Sequence, residues 1–409
     1  MTLYDELQLP NGTTIPNRIA KAAMEENMAD SHHAPSAQLI KLYDAWANGK
    51  AGLIITGNVM IDRRAMTGPG GVVLENADNL KKFKQWSHAG RVNGAQFWMQ
   101  INHPGRQMMA NLGQQTWAPS AIALDLGSMS KHFGMPSEMT EAVIADVIKR
   151  FANTAELSEE AGFTGVQIHA AHGYLLSQFL SPLTNHRNDT WGGSIDNRAR
   201  LLIEVVKAVR STVSANFSVS VKLNSADFQR GGFSTDDAKK VIEMLNPLNV
   251  DLVELSGGSY EAPAMQGVSK DGRTLAREAY FFEFAKDIQV VAEMPIMVTG
   301  GIRRRPVAEE VVTSGIDMIG MATALAIDPN LPLDWAAGLN NAPQLKPIRW
   351  KNKAVASLAN MAVVKYQLNK LSLGKPCDPN ISPLRALLLQ QIKTARLTRR
   401  YRKNISEAK

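Results

Sequence analysis

Eight short runs of apolar, β-branched residues alternate along the chain with segments of helical periodicity, and this alternation limits the fold more than any other feature. The runs predict strands at 18–24, 52–59, 95–102, 165–170, 218–223, 251–256, 295–300 and 318–325. Parallel neighbours need a crossover helix, so eight such strands predict an α/β fold, a (β/α)8 TIM barrel. A doubly wound open sheet is the alternative, but the Gly-rich fingerprint expected after its first strand is missing.

Positive charge is concentrated at the C-terminal end of the 409-residue chain. The formal net charge is +7, but residues 344–409 hold fifteen Lys and Arg against two acids, which leaves a net of −6 on residues 1–343. Asn and Pro residues within 340–347 mark a boundary. We therefore predict a barrel domain over 1–343 and a basic C-terminal helical extension over 344–409, with amphipathic helices at 353–373 and 382–402.

The composition is that of a globular protein, with 44% hydrophobic and 20% charged residues, which excludes a disordered or fibrous chain. The single cysteine, Cys377, excludes a disulfide framework within the chain and an all-cysteine zinc or iron–sulfur site. A cytoplasmic location is expected. The acidic start MTLYDELQLP lacks the apolar region of a secretory signal, and no apolar run is long enough to predict a transmembrane helix.

Chemically active side chains cluster where the predicted strands end. In a parallel barrel the chemistry sits at the carboxyl ends of the strands. The residues are Met24 and Glu25 after the first strand, Gln100 and Asn102 at the end of the third, His169, His172 and Tyr174 at the fourth, Lys222 in the fifth, and Gly300 and Gly301 at the seventh. This pattern predicts an active site at one end of the barrel.

Two histidines three residues apart, His169 and His172, can converge on one small anion or carbonyl oxygen, since each imidazole has an N–H to donate. Two satisfied core histidines or a metal pair are the alternatives, but no nearby cluster supplies further metal ligands, and no metal is expected. Tyr174 lies two residues further on. A phenol with a pKa of about 10 is a proton donor at neutral pH, although a packing tyrosine is the commoner case.

Three further sites have the chemistry of cofactor-binding groups. Gln100 ends an apolar strand, and its amide offers donors and an acceptor. Lys222 is a cation inside a strand and needs a partner, for which a neighbouring carboxylate is the simplest choice. Gly300 and Gly301 would let backbone N–H groups approach a phosphate, although a tight turn alone also explains two glycines.

Several ordered motifs closely resemble those of the Old Yellow Enzyme family of FMN-dependent NAD(P)H oxidoreductases, which fold as TIM barrels. The main motif is His169-Ala-Ala-His172-Gly-Tyr174, followed by Asn185-His186-Arg187 and Trp191-Gly192-Gly193. The similarity also covers Pro16-Asn17-Arg18-Ile19, Gln100 with His103-Pro104-Gly105-Arg106, and Val298-Thr299-Gly300-Gly301, across most of residues 1–335. Several motifs in order are a stronger signal than one short match.

The resemblance implies roles for the fourth-strand residues. His169 and His172 would hold the electron-withdrawing oxygen of the substrate and stabilise the negative charge that develops as hydride arrives. Tyr174 would protonate the substrate carbon opposite the hydride. The implied activity is the NADH- or NADPH-dependent reduction of an activated C=C bond, of the enone type, or of a similar electron-poor small molecule.

The resemblance also implies an FMN site, with two departures from the family pattern. Beside the flavin would lie Ala23, Met24 and Glu25, with Gln100 on the pyrimidine edge, Lys222 on the N1–C2=O edge, and Gly300, Gly301, Ala322 and Thr323 on the phosphate. Glu25 stands where the family commonly has Cys or Thr near flavin N5. Thr323 stands where the family usually has a phosphate-binding Arg, a loss that Arg303, Arg304 or Arg305 could offset.

Other functions stay open at this point. One is an NADH oxidase or flavin reductase with no dedicated alkene. Another is an FMN barrel that acts on RNA, like a dihydrouridine synthase, but such enzymes use a cysteine in a barrel loop and Cys377 lies outside the barrel. A third is a barrel that has lost its flavin, as Glu25 and Thr323 would suggest.

The extension offers a choice of partners. Its apolar helix faces can dock on the acidic barrel or on a sister subunit, which leaves a homo-oligomer open. An anionic membrane surface or nucleic acid would suit the basic charge. We favour docking, because the acidic body is an available partner, and we disfavour nucleic acid.

Overall fold

The computed structural model describes residues 1–266 and 278–407. Its barrel strands are β1 Ile19–Lys21, β2 Leu53–Ile55, β3 Gln96–Asn102, β4 Gly165–Ala170, β5 Ser218–Asn224, β6 Leu252–Ser256, β7 Ile296–Thr299 and β8 Met318–Met321. Each strand pairs in parallel with the next. The barrel closes where β8 pairs with β1, in the register Ile319↔Ile19 to Met321↔Lys21. The predicted TIM barrel is confirmed.

Helices surround the barrel and continue beyond it. They are α1 Ala37–Asn48, α2 Leu80–Gly90, α3 Glu141–Glu160, α4 Leu175–Leu180, α5 Ile195–Thr212, α6 Thr235–Leu245, α7 Phe282–Gln289, α8 Arg305–Thr313, α9 Thr323–Ile327, α10 Leu331–Ala336, α11 Lys353–Ser372 and α12 Pro383–Glu407. Short strand pairs are Leu7–Gln8 with Thr14–Ile15, Val59–Met60 with Val72–Val73, and Trp117–Ala118 with Ser137–Glu138. Single 3-10 turns are Val92–Gly94, Ala110–Leu112, Gly127–His132, Asn246–Leu248 and Ala264–Gln266.

Local sequence explains where the crossover helices begin. Ser234 caps α6 through a reciprocal capping box with Asp237, and Ser194 caps α5 by accepting a hydrogen bond from the backbone of Asn197. Such caps satisfy backbone N–H groups that have no partner inside the helix. The apolar face of α5 is buried, at Leu202, Val205, Val206 and Val209 among others.

The predicted strands 52–59 and 318–325 are longer than the strands observed. The first ends at Ile55, and its residues Val59–Met60 form a separate short strand. The second ends at Met321, and helix α9 begins at Thr323. Periodicity cannot distinguish a short buried helix from a strand. The run Ala-Leu-Ala in 324–326 is made of good helix formers, which is why the chain turns helical there.

Side chains that point into the barrel form layers. An apolar layer near the amino ends of the strands contains Trp98, Leu252, Met297 and Met318, and it packs on the N-terminal hairpin around Leu7. Above it, toward the carboxyl ends of the strands, the inward-facing positions carry polar side chains. Along each strand these positions alternate with residues that face the surrounding helices. The carboxyl edge of the barrel therefore carries the side chains that can react.

The extension lies on the barrel of its own chain. Helix α11 packs against α1 and α9, and α12 packs against α11. Tyr401 of α12 is fully buried in a cluster with Met60, Met66 and Met108, and its hydroxyl donates to the carbonyl of Arg63 at 2.8 Å. The end of the predicted extension, residues 408–409, lies outside the described residues.

Within residues 1–266 and 278–407, no helix is both long enough and apolar enough to cross a bilayer.

Candidate active site

A chain of polar side chains crosses the inside of the barrel beneath its carboxyl edge. Gln100 of β3 donates its amide to Gln167 of β4 at 2.7 Å, and Gln167 donates to Glu254 of β6 at 2.9 Å. Glu254 also accepts from Lys222 of β5 and Thr299 of β7, both at 2.6 Å. This network fixes the predicted residues Gln100 and Lys222 on neighbouring parts of one polar floor.

Lys222 has a carboxylate partner within the chain. The Lys222 and Glu254 side chains are 4% and 0% exposed, and the two residues are direct neighbours in the β5–β6 register. A buried cation and carboxylate compensate each other's desolvation. Sequence analysis left this partner open between a carboxylate and the flavin. A charged residue in the middle of each of two adjacent apolar strands was the signal that identifies Glu254.

His169, His172 and Tyr174 lie together above this floor. The ring centroids of His169 and His172 are 5.1 Å apart, and those of His169 and Tyr174 are 4.9 Å apart, both in edge-on arrangements. Burial, with the charges of His172 and Lys222, lowers the pKa of His169 well below its usual 6.5, so the ring is neutral at pH 7. Its Nδ1 accepts from the backbone N–H of Ala171 at 3.2 Å, so the ring proton is on Nε2 and can be donated to a ligand.

His172 is held by the neighbouring strands. Its backbone N–H donates to the amide oxygen of Asn224 at 3.1 Å, and its Nε2 lies 2.7 Å from the Ser256 hydroxyl. Burial and the charge of Lys222 lower the pKa of His172 well below 6.5, so this ring is also neutral. Its backbone has φ = 62°, a strained conformation for a non-glycine residue that the surrounding contacts must maintain. Ser256 and Asn224 were not predicted.

The Tyr174 hydroxyl lies 3.2 Å from the hydroxyl of Tyr260, which follows β6. Burial, then the charges of Tyr260 and Glu25, raises the pKa of Tyr174 well above 10, so the phenol stays protonated throughout the neutral range. A protonated phenol beside a neutral imidazole gives the site two different hydrogen donors. Sequence analysis missed Tyr260, although its position just past the carboxyl end of β6 was a usable signal.

The loop after β1 brings Ala23, Met24 and Glu25, all half-buried, to the same edge. The Glu25 carboxylate accepts from the Thr67 hydroxyl at 2.7 Å and from Lys365 of α11 at 2.6 Å. Burial raises the pKa of Glu25, but two neighbours lower it by more than this. These are Lys365, through its charge and hydrogen bond, and the Thr67 hydroxyl, so the pKa of Glu25 lies below its usual 4.5. Glu25 is therefore an ionised, paired carboxylate.

A second buried network holds the base of this loop. Lys21 is fully buried, donates to the carbonyl of Ile55 at 2.7 Å and to the Tyr43 hydroxyl at 3.3 Å, and the same hydroxyl donates to Glu26. A Cβ at Gly57 would come within 2.1 Å of the Met24 carbonyl oxygen, so only glycine permits this close approach. The position of the loop is thus fixed from below.

The predicted phosphate residues lie at the ends of β7 and β8. Gly300 and Gly301 have φ values of 146° and 75°, and a Cβ at Gly301 would meet the Tyr280 ring at 2.5 Å. Thr323 starts α9 and its side chain is exposed, and Ala322 precedes it. TIM barrels commonly bind phosphate at this place.

Of the three arginines in the seventh loop, two share one carboxylate. Arg303 Nη2 and Arg304 Nε each lie 2.9 Å from Glu278 Oε1, whereas Arg305 pairs with Glu309 at 2.7 Å. Burial raises the pKa of the Tyr280 phenol, and the positive charge of the nearby Arg303 offsets part of this rise. Arg303 is therefore close to the glycine turn, but it is already engaged with Glu278.

Asn102 shows that the site fits a polar ligand. It is 1% exposed, ends β3 two residues past Gln100, and both atoms of its amide lack a hydrogen-bond partner in the described chain. Buried polar groups are nearly always paired, so an unpaired amide facing the barrel mouth fits a bound cofactor or substrate. Within residues 1–266 and 278–407, no group of three or more His, Cys, Asp or Glu side chains is placed to hold a metal ion.

Comparison with known proteins agrees with this geometry. Residues 2–342 match the profile of the NADH:flavin oxidoreductase / NADH oxidase family. The chain is 35% identical over 343 residues to an NADH-dependent flavin oxidoreductase of Hypocrea jecorina, an alignment that covers 78% of this chain and 85% of the relative. It is 37% identical to an enzyme of the same name from a Neonectria species, but covers only 46% of that longer protein and 80% of its own length.

The fold comparison gives the same architecture. An Old Yellow Enzyme homologue from Zymomonas mobilis superimposes with a TM-score of 0.73 at 24% identity, over 87% of this chain and 99% of the other. At this level of identity the likeness describes the barrel alone.

Proposed function

Since the chain belongs to the NADH:flavin oxidoreductase / NADH oxidase family, whose cofactor is FMN and whose reductant is NAD(P)H, we propose that it reduces the activated C=C bond of an enone-type small molecule, with Tyr174 as the proton donor. The overall reaction consumes NAD(P)H, one proton and the alkene, and yields NAD(P)+ and the saturated product. FMN, which Gln100, Lys222 and the Gly300–Gly301 turn would hold, would supply the hydride chemistry between the nicotinamide and the β carbon of the alkene.

One observation carries this proposal: a neutral His169, whose Nε2–H has no hydrogen-bond partner among the described residues, lies in ring contact with a protonated Tyr174. The imidazole N–H can hold the carbonyl oxygen of an enone, where negative charge develops as the β carbon gains hydride. A preorganised donor at that oxygen stabilises the charge without needing to reorganise. A neutral histidine suits this role, because it donates a hydrogen bond without transferring its proton.

Tyr174 then supplies the proton that completes the reduction at the α carbon. Its raised pKa keeps it protonated until hydride has reached the substrate. General acids placed in this way typically contribute 10²–10⁴-fold to a rate.

The residues present fit FMN. Gln100 offers amide groups to a pyrimidine edge, and Lys222, with three N–H donors, keeps donors for a ligand beyond its bond to Glu254. The Gly300–Gly301 turn suits a phosphate. Ala23, Met24 and Glu25 would line the flavin ring, and Ala322 and Thr323 the phosphate.

NADH is our proposed reductant, since the two fungal relatives are named NADH-dependent. We also propose a cytoplasmic location, because a reducing compartment suits a chain with one cysteine, whose thiol pKa burial raises to about 11.

The test is an anaerobic reaction in two stages. The purified protein should show flavin absorption bands, release FMN on denaturation, and lose its colour with one equivalent of NADH. Cyclohex-2-enone should then restore the colour and yield cyclohexanone in equal amount. If no cyclohexanone forms, and NADH is instead consumed with oxygen in a separate aerobic assay or with free flavin, the protein is an NADH oxidase or flavin reductase. A protein that binds no added FMN would exclude both activities.

A further inference from the structure

Glu25, one of the two departures from the family pattern, touches the basic extension, which lies beyond the residues that the family profile matches. Glu25 follows β1 at the edge of the candidate active site, and Lys365 lies in the middle of α11. Their side chains form an ion pair of 2.6 Å, and they are 24% and 16% exposed. The pair joins residues 340 positions apart, so it is a product of the fold and not of local sequence.

The extension is anchored well enough to hold this pair in place. Tyr401 is fully buried against the barrel loops, and Arg400 donates to the carbonyls of Ala29 and Asp30 at 3.1 and 3.0 Å. At the other end of the packed pair of helices α11 and α12, the Gln38 side chain of α1 donates to the Ser372 hydroxyl at 2.7 Å. Contacts at both ends fix where α11 crosses the loop after β1.

Glu25 acts electrically on the site where chemistry is proposed. Its charge contributes to raising the pKa of both Tyr174 and Tyr260. An unpaired carboxylate at this position would oppose the accumulation of negative charge on a reduced flavin or on a substrate oxygen. Lys365, with Lys393 of α12 beside it, supplies the opposite charge.

We propose that Lys365 is a positioning residue of the active site, which neutralises Glu25 so that negative charge can accumulate on bound FMN and substrate. The extension then supplies the positive charge that compensates Glu25. A barrel without a carboxylate at this position would not need that charge. This inference rests on the proposed function, because it requires that FMN binds at the barrel mouth.

The midpoint potential of bound FMN at pH 7 tests the inference without relying on turnover. Glu25→Gln leaves Lys365 without its carboxylate, which should favour reduced over oxidised FMN at least tenfold, a rise of about 30 mV for a two-electron couple. Adding Lys365→Met restores the net charge and should return the potential to the wild-type value. Lys365→Met alone should lower the potential, most clearly at higher pH where Glu25 is fully ionised.

A matched control separates this local effect from general charge. Lys370 lies on the same helix, so Glu25→Gln/Lys370→Met has the same net charge as the first double variant. It should keep the raised potential of Glu25→Gln. Equal potentials for Glu25→Gln and Glu25→Gln/Lys365→Met would overturn the inference, whereas absence of FMN binding in the wild-type protein would instead overturn the proposed function.

Discussion

Replacing Tyr174 with Phe should slow only one of the two half-reactions. The substitution removes the hydroxyl and leaves the ring that packs on His169 at a centroid distance of 4.9 Å. Proton donation is needed only after hydride has reached the substrate, so reduction by NADH should proceed as before. Reoxidation by an enone should lose about 10²–10⁴-fold in rate, which corresponds to about 3–5 kcal/mol of transition-state stabilisation.

The structure sets a limit on the structural side effect of this change. Among the described residues the hydroxyl makes its hydrogen bond with Tyr260, at 3.2 Å, and the Asn58 side chain interacts with it more weakly. A neutral hydrogen bond contributes about 0.5–1.5 kcal/mol, so its loss alone can change either half-reaction by roughly tenfold at most. A larger loss confined to reoxidation must therefore come from the missing proton donor.

Tyr260→Phe is the matched control, because it breaks the same hydrogen bond and keeps the Tyr174 donor. Both half-reactions are followed anaerobically by stopped flow at the flavin absorbance, first with NADH and then with cyclohex-2-enone. Tyr260→Phe should leave both within about tenfold of wild type. If Tyr174→Phe slows both half-reactions equally, or if Tyr260→Phe has the larger effect on reoxidation, Tyr174 is not the proton donor.

Three further predictions concern the buried Lys222–Glu254 pair, the phosphate end of the site and the buried His103. Lys222→Met should destabilise the protein by about 3–5 kcal/mol in urea unfolding, since Glu254 stays buried without its cation, and the double variant with Glu254→Gln should recover part of this loss; no recovery would contradict the pairing. Thr323→Arg should tighten FMN about tenfold in equilibrium titration and Arg303→Ala should weaken it, because a charge-assisted bond to phosphate exceeds a neutral one by about 1.4 kcal/mol; if neither constant moves, the phosphate lies elsewhere. Burial lowers the pKa of His103 to about 4, so as pH falls this histidine is protonated in the unfolded chain before it is protonated in the folded protein. Its contribution to the free energy of unfolding should therefore fall by about 3 kcal/mol between pH 6.5 and 4. If His103→Gln shows the same dependence of unfolding free energy on pH as the wild-type protein, this prediction is wrong.

The sequence predicts the barrel well because its evidence is distributed over many residues. Eight runs of similar composition report on one architecture, so an error at one of them, such as the run 318–325, does not change the fold. The error has a local cause. Thr323 belongs to a short helix of Ala and Leu whose apolar pattern equals that of a buried strand.

The candidate site is predictable only where the chemistry of a residue and its place on a strand coincide. His169, Tyr174 and Gln100 satisfy both conditions. Glu254 has the same signature as Lys222 but was overlooked, since a carboxylate inside a strand was considered only as an unnamed partner. Contacts between distant segments, such as Glu25 with Lys365, have no local signal at all.

The two departures that the family resemblance implies, Glu25 and Thr323, have different structural consequences. The charge introduced by Glu25 is compensated within the chain, because Lys365 reaches it from a segment that the family profile does not cover. The arginine that the resemblance implies at position 323 has no such substitute, since Arg303 lies near the Gly301 turn but is paired with Glu278 at 2.9 Å. A phosphate that recruits Arg303 must compete with that carboxylate. Glu278→Gln should therefore leave Arg303 available to the phosphate and tighten FMN in equilibrium titration, where Arg303→Ala weakens it.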